Sequence, residues 1–161
     1  MFYLNLFAAL ERHAVDYLLV GGLAVSLHGI ERSTMDIDIC VAMSRANLAS
    51  LVAMARELEM TPQLPVPLDT LTDLETLREW HEARNLVAFA LKAPGLTGVT
   101  LDILLFPPIA FEEMRPRAVC LHVGGTTVQL VGIRDLISLK EAVGRPIDQA
   151  DIAHLRRMHG L

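Results

Sequence analysis

The spacing of apolar residues changes period several times along the chain, and each change marks an element. Residues 2–14 place Phe2, Leu6, Ala9, Leu10 and His13 at helical spacing, which predicts an amphipathic helix. Asp16 to Val20 reads as a short buried strand. Gly21-Gly22 interrupts it, and Leu23 to His28 reads as a short helix ended by Gly29. Thr34 to Val41 alternates and predicts a strand. Ser44 is placed to cap a helix to about Glu59, with Leu48, Leu51, Val52, Ala55 and Leu58 on one face. The proline-rich stretch 61–69 reads as loop, and Thr70 to Arg84 as a charged helix capped by Thr70 or Thr72. Asn85 to Lys92 and Val99 to Phe106 read as strands joined around Pro94-Gly95, the second stopped by Pro107-Pro108. A short helix over Ile109 to Arg115 precedes a hairpin, Ala118 to Val123 and Thr126 to Val131, turning at Gly124-Gly125. Two helices, 133–143 and 147–159, end the chain on either side of Gly144-Arg145-Pro146. The fold class is α+β, a central mixed β-sheet flanked by helices, with a C-terminal helical pair. The expected organisation is a single domain over 1–161, with an α/β body at 1–131 and helices at 132–161 packed on it.

Composition narrows the function classes. Apolar residues make up 52% of the 161 and charged residues 20%, which argues against disorder. Lys and Arg number 14 against 19 Asp and Glu, a net charge of −5. A general nucleic-acid coat lacks its driving field at that charge, and any anion would need a local binding device. Cys40 and Cys120 lie in apolar stretches outside any CxxC pattern, and read as small buried hydrophobes of a reducing cytoplasm. The longest apolar run, Leu18 to Val25, is far short of the ~20 residues that span a bilayer. The N-terminus has no basic leader and reads as a helix of the fold. A soluble cytoplasmic protein is the expectation. The six histidines form no HxxxH or HExxH spacing, so zinc is not expected, and Trp80 and Tyr17 read as core.

The chemistry concentrates in Leu18 to Val41. On an extended strand, Arg32, Thr34, Asp36 and Asp38 fall on one side, with Met35, Ile37, Ile39 and Val41 on the other. Asp36 and Asp38 are then ~6.5–7 Å apart between Cα atoms, and their repulsion favours a divalent cation between them. Oxygen ligands of this kind suit Mg²⁺ or Mn²⁺. A plain strand edge whose charges oppose aggregation also fits a bare DxD. Gly21-Gly22, between strand and helix, permits close backbone approach to a phosphate, although a glycine pair is often only a turn. Asp102 is the lone charge in VTLDILLF and must meet a metal, a cation or solvent. Beside the first two acids it would complete a two-metal site. In the helix 133–143, Lys140 shares a face with Ile133, Leu136, Ile137 and Val143, so it needs a phosphate or a structural ion pair, or must snorkel.

This arrangement resembles the nucleotidyltransferases of the DNA polymerase β-like superfamily. Gly21, Gly22, Asp36, Asp38 and Asp102 match that pattern in order. The string GGLAVSLHGIERSTMDIDI and the ending DLISLKEAVGRPIDQADIAHL are similar to the small members, including toxins of toxin–antitoxin and abortive-infection systems. The resemblance implies that Asp36, Asp38 and Asp102 are catalytic and hold Mg²⁺ or Mn²⁺. It implies that Gly21, Gly22, Arg32, Thr34 and Lys140 bind an NTP, whose NMP passes to a hydroxyl of RNA, a protein or a small molecule. An antitoxin partner would follow from the toxin form. Arg32 either neutralises Asp36 or contacts phosphate. Arg145, Asp148 and Asp151 match the R-x-x-D-x-x-D tail, although acids near a helix N-terminus are favoured anyway. A noncatalytic nucleotide- or partner-binding module on the same fold is the alternative. A phosphohydrolase would want more histidine ligands.

Overall fold

A computed structural model describes residues 2–161. The helices are α1 (Phe2–Arg12), α2 (Gly21–Leu27), α3 (Arg45–Glu57), α4 (Leu74–Arg84), α5 (Phe111–Met114), α6 (Ile133–Val143) and α7 (Pro146–His159). The strands are β1 (Tyr17–Val20), β2 (Ile37–Val41), β3 (Thr61–Pro62), β4 (Ala88–Lys92), β5 (Thr100–Leu104), β6 (Val119–Val123) and β7 (Thr126–Leu130). All seven strands form one mixed sheet in the order β3-β4-β5-β2-β1-β7-β6.

The centre of that sheet decides what the protein presents to solvent. β1 and β2 are antiparallel, with Val20 opposite Asp38. β2 runs parallel to β5, with Ile37 opposite Leu101 and Asp38 opposite Asp102. Side chains alternate across the sheet, so Ile37, Ile39, Phe89, Leu91, Leu101 and Ile103 go to the buried face. Their neighbours Asp38, Ala88, Ala90, Asp102 and Leu104 lie on the opposite face and are only half-buried. The same period that builds the core therefore sets two acids side by side.

Local chemistry fixes the boundaries. Ser44 Oγ accepts from the Asn47 amide at 3.1 Å and starts α3. The Asn47 side chain in turn donates to the carbonyls of Asp16 and Ala42, tying α3 to the ends of β1 and β2. Gly124 and Gly125 have φ of +55° and +80°, the left-handed pair that a two-residue hairpin between β6 and β7 requires. Gly144, at φ +70°, stops α6 so that α7 can fold back beside it.

Several expected boundaries move. Thr34 to Asp36 lies outside the strand, because β2 begins at Ile37, where its pairing with β5 begins. Thr61–Pro62 is a strand, not loop: it pairs with β4 at the sheet edge, where proline costs no interior ladder bond. Asp73, not Thr70 or Thr72, caps α4, its carboxylate accepting from the Thr76 amide. A single 3₁₀ segment, Leu68–Thr72, occupies the expected start of that helix. Cys120 is exposed on β6, the other sheet edge, whereas Cys40 is buried as expected. Tyr17 is core and Trp80 packs partly buried against it. No helix among the described residues is long and apolar enough to cross a membrane.

Candidate active site

One cavity of about 680 Å³ takes in the eight residues expected to be catalytic or nucleotide-binding: Gly21, Gly22, Arg32, Thr34, Asp36, Asp38, Asp102 and Lys140. Its floor is the half-buried face of β2 and β5. Its walls come from α2, the 30–36 segment, α6 and the chain around residues 104–108.

The acids are not equivalent. Asp38 and Asp102 sit side by side across the β2–β5 ladder. Burial, reinforced by the charges of Asp102 and then Asp36, pushes the Asp38 carboxyl up to about 7. Asp102 is also raised, by burial first and then by Asp36. Asp36, one residue before the strand, is held by Thr100 Oγ1, which donates to its Oδ1 at 2.8 Å. The carboxylates are thus neighbours, with one Asp36 oxygen taken up by Thr100. Among the described residues no set of three His, Cys, Asp or Glu side chains forms a ready metal cage. Thr100 escaped the sequence reading, yet it lies two residues before Asp102, on the same face of the strand.

The glycine pair is the first turn of α2, not a turn preceding it. Gly21 has φ +72°, and a Cβ there would overlap Asp38 Oδ2, so glycine is needed both for the backbone and for the approach of the acid. At Gly22 a Cβ would lie 2.8 Å from Arg32 Nη1.

Behind the glycines is a charged network. Arg32 Nη1 donates to Asp151 Oδ2 at 2.8 Å, so Arg32 pairs with α7 and not with Asp36. Lys140 is only 5% exposed, and its Nζ lies 3.2 Å from Asp148 Oδ1 and 3.0 Å from Asp151 Oδ2. Arg145 bonds Asp148 through its side chain and its backbone amide. Burial works against the charge on Asp148, yet the hydrogen bonds from Arg145 and Lys140 prevail and hold its carboxyl below the usual range. Arg32 Nε is buried with no partner. The structural ion pair considered for Lys140 is therefore present, while the residue also lines the cavity. Thr34 lines it too, its hydroxyl weakly donating to the Asp36 carbonyl at 3.4 Å.

No protein-family profile matches the chain, and no curated protein matches it by sequence. Solved structures do match. The antibiotic-resistance factor ANT(2'')-Ia in solution superposes with a TM-score of 0.59 at 14% identity, over 96% of this chain and 80% of that one. The same factor in complex with adenylyl-2''-tobramycin gives 0.56 at 15% identity, over 96% and 84%. The lincosamide antibiotic adenylyltransferase LnuA, bound to lincomycin, gives 0.59 at 16% identity, over 96% and 93%. The chain thus carries the nucleotidyltransferase fold that its sequence resembles.

Proposed function

We propose that this protein transfers a nucleoside monophosphate from an NTP, ATP being the first to test, to a hydroxyl acceptor. The observation that carries this reading is the pair Asp38 and Asp102, set abreast beside the Gly21 backbone on the floor of a cavity. Two carboxyls held together at the expense of their ionisation are stabilised by a cation. Their all-oxygen donor set fits Mg²⁺ or Mn²⁺, with Asp36 as the third ligand. Such a metal, when bound, neutralises charge on the phosphoryl group in flight.

The chain's own residues supply the rest. The Gly21-Gly22 backbone lets the triphosphate approach closely. Lys140 has three N–H donors; one bonds Asp148 and its charge also pairs with Asp151, which leaves donor capacity for a phosphate oxygen. Arg32 and Thr34 flank the same wall. Asp102 accepts the acceptor's hydroxyl proton. The helices at 132–161 belong to the same unit as the body, since α6 lines the cavity. Acceptor classes are RNA, protein and small molecule. The charge of −5 favours the small molecule, as do the antibiotics named with the similar structures. The same chemistry aimed at cytoplasmic RNA or protein would make the chain a toxin held by an antitoxin partner. Growth arrest on expression, lost in Asp38→Asn, tests that form.

The central assay incubates the protein with each α-labelled NTP and Mg²⁺ or Mn²⁺. RNA, protein extract, tobramycin and lincomycin are offered in turn. Label transfer that disappears in Asp38→Asn is expected. Tight NTP binding with no transfer to any acceptor would instead establish a noncatalytic nucleotide-binding module.

A further inference from the structure

The cavity extends past Asp102, away from the glycines, to an end that neither the acids nor the phosphate-side residues explain. Sheet order sets the sequence of parts: Gly21 follows β1, Asp38 is on β2, Asp102 on β5, and β4 with its preceding helix α4 lies beyond. His81 of α4, Val87 and the segment Phe106-Pro107-Pro108 line that far end. Val87 is a large apolar side chain left 58% exposed. Phe106 takes a left-handed backbone, φ +48°, immediately before two prolines, a conformation that costs energy for a bulky residue. Its ring is fixed there, with the Arg78 guanidinium 4.5 Å from its centroid and the His81 ring 5.3 Å away.

His81 is fixed in tautomer as well as position. Its Nδ1 is 2.8 Å from the Leu86 carbonyl oxygen. A carbonyl only accepts, so Nδ1 carries the proton and Nε2 is the remaining polar atom of the neutral ring. Nε2 has no partner among the described residues and is not among the buried unpaired atoms, so it is accessible, and His81 is one of the residues lining the cavity.

We propose that this end is the acceptor subsite, and that it takes a hydroxyl compound with an apolar ring face. The ring lies against Val87, Phe106 and Pro107, and His81 Nε2 accepts a hydrogen bond from a ligand hydroxyl. The assignment rests on the transferase reading in one respect. In-line displacement puts the entering oxygen opposite the leaving pyrophosphate. With pyrophosphate at the glycine and Lys140 end, the acceptor enters from the side of Asp102, where His81 and Phe106 lie.

Two substitutions separate a ligand contact from a structural one. His81→Asn keeps a donor for the Leu86 carbonyl but removes the Nε2 position, whereas His81→Gln carries an amide to that position. With any acceptor found in the label-transfer assay, His81→Asn is expected to raise the acceptor KM about tenfold, the worth of one hydrogen bond. ATP affinity should be unchanged, and His81→Gln should recover part of the loss. Wild-type acceptor KM in His81→Asn would overturn the assignment. Turnover is not needed for the second measurement. Ring-nitrogen NMR of His81 is followed while cyclohexanediol, a minimal ring diol, is added. A saturable shift at Nε2 with changes at Val87 and Phe106 is expected, and none up to the solubility limit would overturn the subsite. Diol binding without any label transfer would retain the subsite and reject the transferase reading. Transfer with an unaltered His81→Asn enzyme would do the reverse.

Discussion

Two charged clusters share one cavity, and they are built on opposite terms. On the α6–α7 side, Lys140, Arg32 and Arg145 enclose Asp148 and Asp151, which are 1% and 4% exposed. Every carboxylate there has cationic partners at hydrogen-bond distance. On the β2–β5 side, Asp36, Asp38 and Asp102 crowd together, and no cation pairs with any of them within 4.0 Å among the described residues. The first cluster is complete as folded. In the second, burial and mutual repulsion hold the Asp38 and Asp102 carboxyls above their usual range, which favours binding a cation. The same residue type is thus paired in one cluster and unpaired in the other.

Lys140→Met breaks the comparison most severely. It strands two buried carboxylates, and chemical denaturation should show a loss of about 3–5 kcal/mol. A loss below 1 kcal/mol would mean that the network does not hold the helices to the body.

Asp38→Asn should act in the opposite direction. The folded carboxyl titrates near 7, against 3.8 for the ordinary group. The native state therefore binds the extra proton between those values, and stability falls as pH rises from about 4 to 7, remaining low above that. Replacing the acid removes that penalty, whose upper bound is about 4 kcal/mol. Denaturation at pH 5 and pH 8 should show wild type losing clearly more stability between the two than Asp38→Asn, which keeps only the smaller contribution of the raised Asp102 carboxyl.

Gly22→Ala tests the seam between the clusters. The added methyl would press on Arg32 Nη1, which Asp151 holds in place, so a cost of about 1–2 kcal/mol is expected in thermal unfolding. Arg145→Ala sharpens the network from its outer end. Its side chain is 63% exposed, and removing it should cost less than about 1 kcal/mol, far below the buried lysine.

The parts legible in the sequence were those with local causes. Ser44 before an apolar helical stripe, two glycines inside a hairpin and the Gly144-Arg145-Pro146 break all signal through neighbours in the chain. The alternation of Ile37, Asp38 and Ile39 turned Asp38 away from the core, and Asp102 stood out alone among aliphatics, but their adjacency depends on the β2–β5 register. What escaped had distant causes. The Arg32–Asp151 pair spans 119 positions, and nothing near Arg32 announces it. Thr61–Pro62 becomes a strand only because β4 offers an edge. His81 has no metal-ligand spacing in the sequence, and its place depends on the bend at Phe106 and on the Leu86 carbonyl.

Calorimetric titration of Mn²⁺ into the protein at pH 8, with the heat of the same titration into buffer subtracted and no free ATP present, tests the central claim most directly. Saturable binding in the wild type, abolished in Asp38→Asn and in Asp102→Asn, is the predicted result. Equal heats from all three proteins would contradict it.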